Sequence, residues 1–302
     1  MRGLLYADWI RFRHRYDLWI ILVAVLLLAV LGFVSGAASA NSQPELPPFD
    51  PSMPPEMQAL IEAQNAQIEA QMALMRDLYV FPRSIVTVLE QGSWLFLAAA
   101  FVAASWIASE FDWGTIRNVV LARPERGRFL AARLLALMAV MSVALVALGA
   151  LGAVLPVLVR VVGSGQPSGV TPLAILLTGI GGSIWSLAFI AVAALAAVVT
   201  RSPIFALILA YGYFLLDGLL GNLVIWKSAG LEWLPQFLLG VRLSGLLADI
   251  RVATGLRDAS GGAPTTSAVH LDPIAGLLVI AAWISLSLGL TYAVLRRADI
   301  RE

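Results

Sequence analysis

Few side chains in this 302-residue chain can do covalent or acid–base chemistry. Cysteine is absent, which excludes thiol nucleophiles, disulfides and thiolate metal sites. Histidine occurs only at His14 and His270, with the hydrophobic body of the chain between them, so a histidine metal cluster within one chain is excluded. The sole lysine, Lys227, stands in Trp-Lys-Ser-Ala-Gly, and no Gly-x-x-x-x-Gly-Lys-Ser/Thr loop exists to cradle nucleotide phosphates. No pair of catalytic carboxylates and no serine elbow is visible. Four of the seven methionines, Met53, Met57, Met72 and Met75, fall within residues 41–91. Their thioethers could bind Cu(I), but no cysteine or histidine accompanies them, and methionine equally fills an apolar seam; the second reading is preferred and no metal is expected. Asp217 stands inside an apolar run, where an ionisable residue is a functional candidate by default. The densest charge lies in residues 110–128, which hold Arg117, Arg123, Arg126 and Arg128, with Arg133 just beyond.

The elements that must position these residues are membrane helices. Apolar residues make up 60% of the chain and charged residues 13%, about half the usual share of a soluble domain. The net charge of +1 gives no indication of a nucleic-acid partner. Uncharged or nearly uncharged runs predict six spans, at about 18–34, 92–109, 134–159, 173–200, 203–220 and 274–295. The expected fold is therefore an all-α membrane protein, one transmembrane domain over residues 1–302.

Between the spans the pattern changes. Leu5, Trp9, Phe12 and Tyr16 share one face of a helix over residues 1–17, while Arg11, Arg13 and Arg15 lie elsewhere, as in an interfacial elbow helix against lipid. A basic start, an apolar run and Ala38-Ser-Ala40 imitate a secretory signal; the amphipathic start argues that the segment is retained. Residues 41–91 form a long polar insertion. Its prolines give an extended entry, and Met57, Leu60, Ile61, Ile68, Met72, Met75 and Tyr79 predict an amphipathic extracytoplasmic helix over 56–80, closed by Pro82. Gly149 and Gly152 make a small-residue patch suited to close helix contact. Within 226–272, residues 231–247 are too short to span twice and too apolar for a free loop, so a re-entrant or interfacial helix pair is expected there, with a flexible loop at 255–268.

Arginine sets the orientation. With the N-terminus inside, the cytosolic segments carry thirteen of the 20 Lys and Arg residues, at 2, 11, 13, 15, 117, 123, 126, 128, 133, 201, 296, 297 and 301. The longer outer segments carry the other seven. Both termini and residues 110–133 then fall in the cytosol. In that segment Ile116, Val119 and Val120 recur at i, i+3, i+4, Thr115 after Gly114 can cap a helix, and Pro124 stops it. This is a short helix lying along the membrane, either a docking element for a cytosolic partner or a basic segment that only fixes topology.

The pattern Glu110-x-x-x-Gly114-Thr115-Ile116-Arg117-Asn118, then Ala122-Arg123-Pro124, Arg126 and a basic residue entering the third span, resembles the ABC-2 type transporter permeases, the membrane subunits of type-2 ABC exporters. The likeness extends to the amphipathic start, the six spans, the apolar re-entry before the last span and the closing Tyr-Ala-Val-Leu-Arg-Arg-Ala-Asp-Ile. Where the family usually has a lysine, this chain has Arg133, which keeps the charge. The first outer loop is longer than the plain family pattern, and its helix resembles the insertions of subfamilies with an extracytoplasmic partner at the equivalent of 56–80.

The resemblance implies a multi-pass permease of the inner (plasma) membrane, paired with a second permease copy, alike or different, and with a nucleotide-binding ATPase subunit. ATP and Mg would bind that ATPase; this chain would hold no cofactor and catalyse nothing itself. Residues 110–133 would be the coupling segment, with Glu110 and Arg117 orienting its helix, Ile116 and Val119 filling a groove of the ATPase, and Arg123 and Arg126 steering the encounter. Two other readings stay open: a membrane scaffold relaying ATPase motion to an outer partner, and an ion-coupled secondary transporter using Asp217. Asp217 is expected near the outer end of its span, satisfied or facing water, and replaceable by Asn.

Overall fold

A computed structural model describes residues 10, 14, 16–42, 54–91, 93–112, 126–161, 170–221, 231, 233–254 and 273–297. These form nine α-helices and one 3-10 turn, with no strand among the described residues. In chain order the helices are α1 (Tyr16–Asn41), α2 (Pro55–Asp77), α3 (Arg83–Gln91), α4 (Ser93–Asp112), α5 (Arg126–Val159), α6 (Pro172–Thr200), α7 (Pro203–Gly221), α8 (Leu239–Ala253) and α9 (Pro273–Arg297). The 3-10 turn, Leu234–Phe237, leads into α8.

Helix α6 is the axis of the bundle. In its most apolar window 67% of residues are buried, against 17–33% in the other four span-length helices. Its covered face is built from small residues, among them Gly181, Gly182, Ala188, Ala193, Ala194 and Ala197, which let neighbouring backbones approach closely. Its ends are set locally. Thr171 Oγ1 accepts a 3.2 Å hydrogen bond from the Ala174 amide, and Pro172 opens the first turn. Arg201, left-handed at φ 54°, ends the helix by donating its amide to the Ala197 carbonyl at 2.9 Å. The surrounding helices turn large apolar side chains outward, such as Val143, Val146, Val157, Leu215, Leu219, Ile274 and Leu278. Such a surface suits a hydrocarbon solvent.

Five helices are long and apolar enough to cross a membrane: Trp19–Asn41, Gly127–Val159, Pro172–Thr200, Pro203–Gly221 and Pro273–Arg297. A pair, Arg83–Glu90 and Leu95–Ser109, bent by 43°, makes a sixth if it is one broken span. The pair follows α5 in antiparallel fashion. Ser84 Oγ donates to the Gly152 carbonyl at 2.6 Å, Phe96 and Leu145 both lie against Gly182, and Trp106 sits beneath the Arg133 guanidinium.

This corrects the expected boundary at residue 92. Residues 83–91 are not part of a polar outer loop; Ser84, Val86, Val88 and Leu89 are buried. Polar residues disguise α3, and each has a use. Ser84 bonds to α5, Thr87 Oγ1 donates to the Leu78 carbonyl at 2.7 Å, and Glu90 pairs with Arg251. The close approach expected at the glycine patch is real at Gly152, where an added Cβ would lie 2.6 Å from Ile85 Cα.

Other boundaries shift less. α1 runs on to Asn41, so Ala38-Ser-Ala40 is helical, and α5 begins at Arg126, soon after Pro124, and runs into the span expected from 134. α2 matches the helix expected over 56–80, and none of its residues is buried. It is attached through its C-terminal end. Arg76 Nε donates to the Ala40 carbonyl at 2.9 Å, and the Tyr79 ring meets Phe33 edge-on at 5.1 Å. The expected pair at 231–247 is the 3-10 turn followed by α8. The interfacial helix of residues 1–17 lies outside the described residues except at Ile10, His14 and Tyr16, where the His14 amide closes one turn on the Ile10 carbonyl. The loop at 255–268 lies outside them as well.

Candidate functional site

Of the residues singled out in the coupling segment, Gly114, Thr115, Ile116, Arg117, Val119, Arg123 and Pro124 lie outside the described residues. Glu110 is placed in the last turn of α4 and Arg126 at the first position of α5. The structure therefore defines the helices that flank the segment. Ile107 and Phe111 of α4, Phe129, Leu130 and Arg133 of α5, Val198 of α6 and Leu295 of α9 line one small cavity, so the ends of four helices meet there. Gly127 lies so close to Tyr292 of α9 that a Cβ would come within 3.3 Å of its ring. Arg128, Arg201, Arg296 and Arg297 are all exposed at this end.

Arg133 is not one of the exposed arginines. It is 1% exposed, with its guanidinium 4.6 Å from the centre of the Trp106 ring and 5.2 Å from that of Phe129. A desolvated cation over an indole face is stabilised by about 2 kcal/mol. Arg133 thus ties the start of α5 to the end of α4 instead of facing water.

At the opposite end Arg160 is exposed, while four other arginines are drawn into the fold. Arg83 and Arg242 are buried, Arg76 bonds to α1, and Arg251 Nε meets Glu90 Oε1 at 2.7 Å. Arginines that the fold has taken up say less about orientation than the four exposed at the other end.

Asp217, the intramembrane candidate, belongs to that second end. It is fourteen residues beyond Pro203, about 21 Å along α7. It is 2% exposed, so of the two settings expected for it, satisfied or facing water, it is not the water-facing one. Its carboxylate accepts a hydrogen bond from the Gly240 amide in the first turn of α8. The negative charge therefore sits where the α8 dipole is positive and its amides lack helical partners. Gly240 has no room for a side chain, because a Cβ would overlap Asp217 Oδ2. Nearby, Trp283 Nε1 of α9 donates to the Phe237 carbonyl at 2.7 Å, and Arg242 Nε donates to the Gln236 carbonyl. Rings join the same helices: Phe189 and Phe214 stack at 3.6 Å, and Tyr213 lies 5.7 Å from Trp283.

The cavity between α4 and α5 and Asp217 are thus at opposite ends of the bundle and are not one site. Among the described residues no group of three or more His, Cys, Asp or Glu could hold a metal. Met75 packs against the hydrophobic core, and Met57 is half exposed at 51%. Sequence spacing pointed to neither the Glu90–Arg251 pair nor the Arg133–Trp106 stack, because those partners are distant in the chain.

No protein-family model matches the sequence, and no curated protein is significantly similar to it. The apolar, lipid-suited helices around a small-residue axis define the chain as a helical multi-pass membrane protein.

Proposed function

We propose that the chain is the permease subunit of an ATP-driven ABC exporter of the ABC-2 type. The observation that carries this reading is the setting of residues 110–128. The segment carries the family-like Glu-to-Pro pattern, and its flanks meet the ends of α6 and α9 where four arginines are exposed. Positive charge marks the cytosolic side, so this end faces the cytosol of a plasma (inner) membrane, within reach of a soluble ATPase. With α3 and α4 counted as one broken crossing, the chain crosses six times and both termini are cytosolic.

In this reading the segment is a coupling helix. Two permeases, alike or different, pair in the membrane, and each docks on an ATPase subunit that holds ATP and Mg. Closure of the ATPases moves the coupling helices, and the bundles switch between inward- and outward-open states, a two-state element biased by a ligand. Arg133 suits such a lever, since it fixes the start of α5 to the end of α4, so that the flanks of the segment move as one.

Purification from the native membrane tests the reading directly. The chain is expected to bring an ATPase with it, and its absence from stoichiometric complexes would reject the proposal. Labelling tests the orientation: a cysteine at position 118 of this cysteine-free chain should react only from the cytosolic side.

A second reading has its own observation. α2 is 23 residues long, about 34 Å, has no buried residue and is attached to α1 at its C-terminal end. Such a rod suits contact with an extracytoplasmic partner, and the permease would then act as an ATPase-linked scaffold. Deletion of residues 56–74 that leaves transport intact would rule this out.

A further inference from the structure

α8 closes off the end of the bundle opposite the exposed arginines, and its two ends are held in unlike ways. Its start is set deep in the protein. Asp217 accepts from the Gly240 amide, Leu239 and Leu243 are 0% exposed, and Gly221 of α7 is so close to Val241 that a Cβ would come within 2.6 Å of it. Its middle rests on α6, where Leu247 and Ile250 cover Gly181. Its far end is held by the 2.7 Å ion pair from Arg251 to Glu90 of α3, whose side chains are 35% and 25% exposed. A hydrogen bond to a buried carboxylate is strong and shielded from salt. A partly exposed ion pair is weak and screened.

We propose that α8 is a strap, hinged at Asp217–Gly240 and latched at Arg251–Glu90. When the latch opens, α8 swings away from Gly181 and uncovers the end of the bundle between α3, α6 and α9. The hinge stays closed, because breaking it would leave a buried carboxylate and a buried amide without each other. The device needs no ATPase to exist, so it stands or falls separately from the permease reading.

The test uses the full chain in membranes permeabilised so that a thiol reagent reaches both faces. Ile250→Cys puts the only cysteine where the side chain meets Gly181. Adding Arg251→Ala should raise its labelling rate about two- to fivefold, the range an exposed ion pair allows. Raising the salt should do the same to Ile250→Cys alone. The charge reversal Glu90→Arg with Arg251→Glu should restore protection. Ser186→Cys, fully buried on α6 away from α8, should stay protected in every background. An unchanged rate in Arg251→Ala overturns the latch. So does a charge reversal that fails to protect, or a parallel rise at position 186, which would mean general loosening.

Discussion

The carboxylate of Asp217, in the membrane helix α7, accepts a hydrogen bond from the amide of Gly240 in the first turn of α8. It is a helix cap supplied from another helix, across 23 residues of sequence. This relationship gives the one ionisable residue of the fifth span a structural use. Ion coupling is then not required to explain a charge in that position, although a lone intramembrane carboxylate would ordinarily suggest it.

The cap predicts a graded response. Asp217→Asn keeps an oxygen acceptor for the Gly240 amide and loses only the charge, so it should cost less than about 1 kcal/mol. Asp217→Ala leaves the buried amide without a partner and should cost about 1–3 kcal/mol. Thermal unfolding of the purified chain in detergent measures both. If Asn is as damaging as Ala, the charge itself matters and the ion-coupled reading regains its footing.

The glycine patch on α5 predicts a contrast between two near neighbours. At Gly152 a methyl would meet the backbone of α3, 2.6 Å from Ile85 Cα and 2.9 Å from the Ser84 carbonyl, and neither atom can rotate away. At Gly149 the nearest atom is a side-chain methyl at 3.9 Å, an ordinary contact. Gly152→Ala should therefore destabilise the fold by about 1–3 kcal/mol, as overpacking typically does, and clearly lower the unfolding temperature. Gly149→Ala should be neutral or slightly stabilising, since alanine is the better helix former. Equal effects at the two sites would mean that α3 does not lie against Gly152.

The membrane helices were legible where punctuation is strong. Thr171-Pro172 and Arg201-Ser-Pro203 fix the limits of α6 and α7, which fall within a residue of the expected 173–200 and 203–220. α3 was not legible, because Arg83, Ser84, Thr87 and Glu90 read as loop, while the partners of Ser84 and Glu90 lie in other helices. Glu90 and Arg251 are 161 residues apart, and no periodicity links them. Arg133 carried the charge expected of a cytosolic flank; Phe129 is its neighbour one helical turn back, but only three-dimensional packing sets it over Trp106. Charge and hydropathy report the solvent a segment prefers; they do not report which buried polar group finds a partner.

The mature protein is expected to keep residues 1–40. Phe33 and Ala37 in α1 are 0% exposed and Ala40 is 4%, and Ala40 accepts from Arg76 through its carbonyl. Tyr79 lies over Gly36 so closely that even a Cβ would overlap its ring. Removing the segment would strip the attachment from α2 and expose that face. Intact-mass measurement of protein from its native membrane decides the matter, and a mature start at Asn41 would show that Ala38-Ser-Ala40 is cleaved.

The last prediction concerns the coupling segment. Its apolar face, Ile116 and Val119, has no evident use in water, whereas full burial in a partner's groove is worth roughly 1.5–3 kcal/mol for each side chain. A Glu110–Arg117 ion pair in solvent would add only about 0–1 kcal/mol to stability, so any larger effect of Glu110 must come from coupling. Ile116→Asp should accordingly leave expression, topology and permease pairing near normal. Its affinity for the ATPase should fall at least about tenfold, the equivalent of losing one buried aliphatic side chain, and ATP-dependent activity should be abolished. Glu110→Gln should assemble better than Ile116→Asp and still show reduced ATP-driven activity. Both variants can be read by copurification and by nucleotide hydrolysis of the membrane complex. An Ile116→Asp chain that holds its ATPase as tightly as the wild type would place the docking surface elsewhere, whereas a wild-type chain that binds no ATPase would remove the permease reading itself.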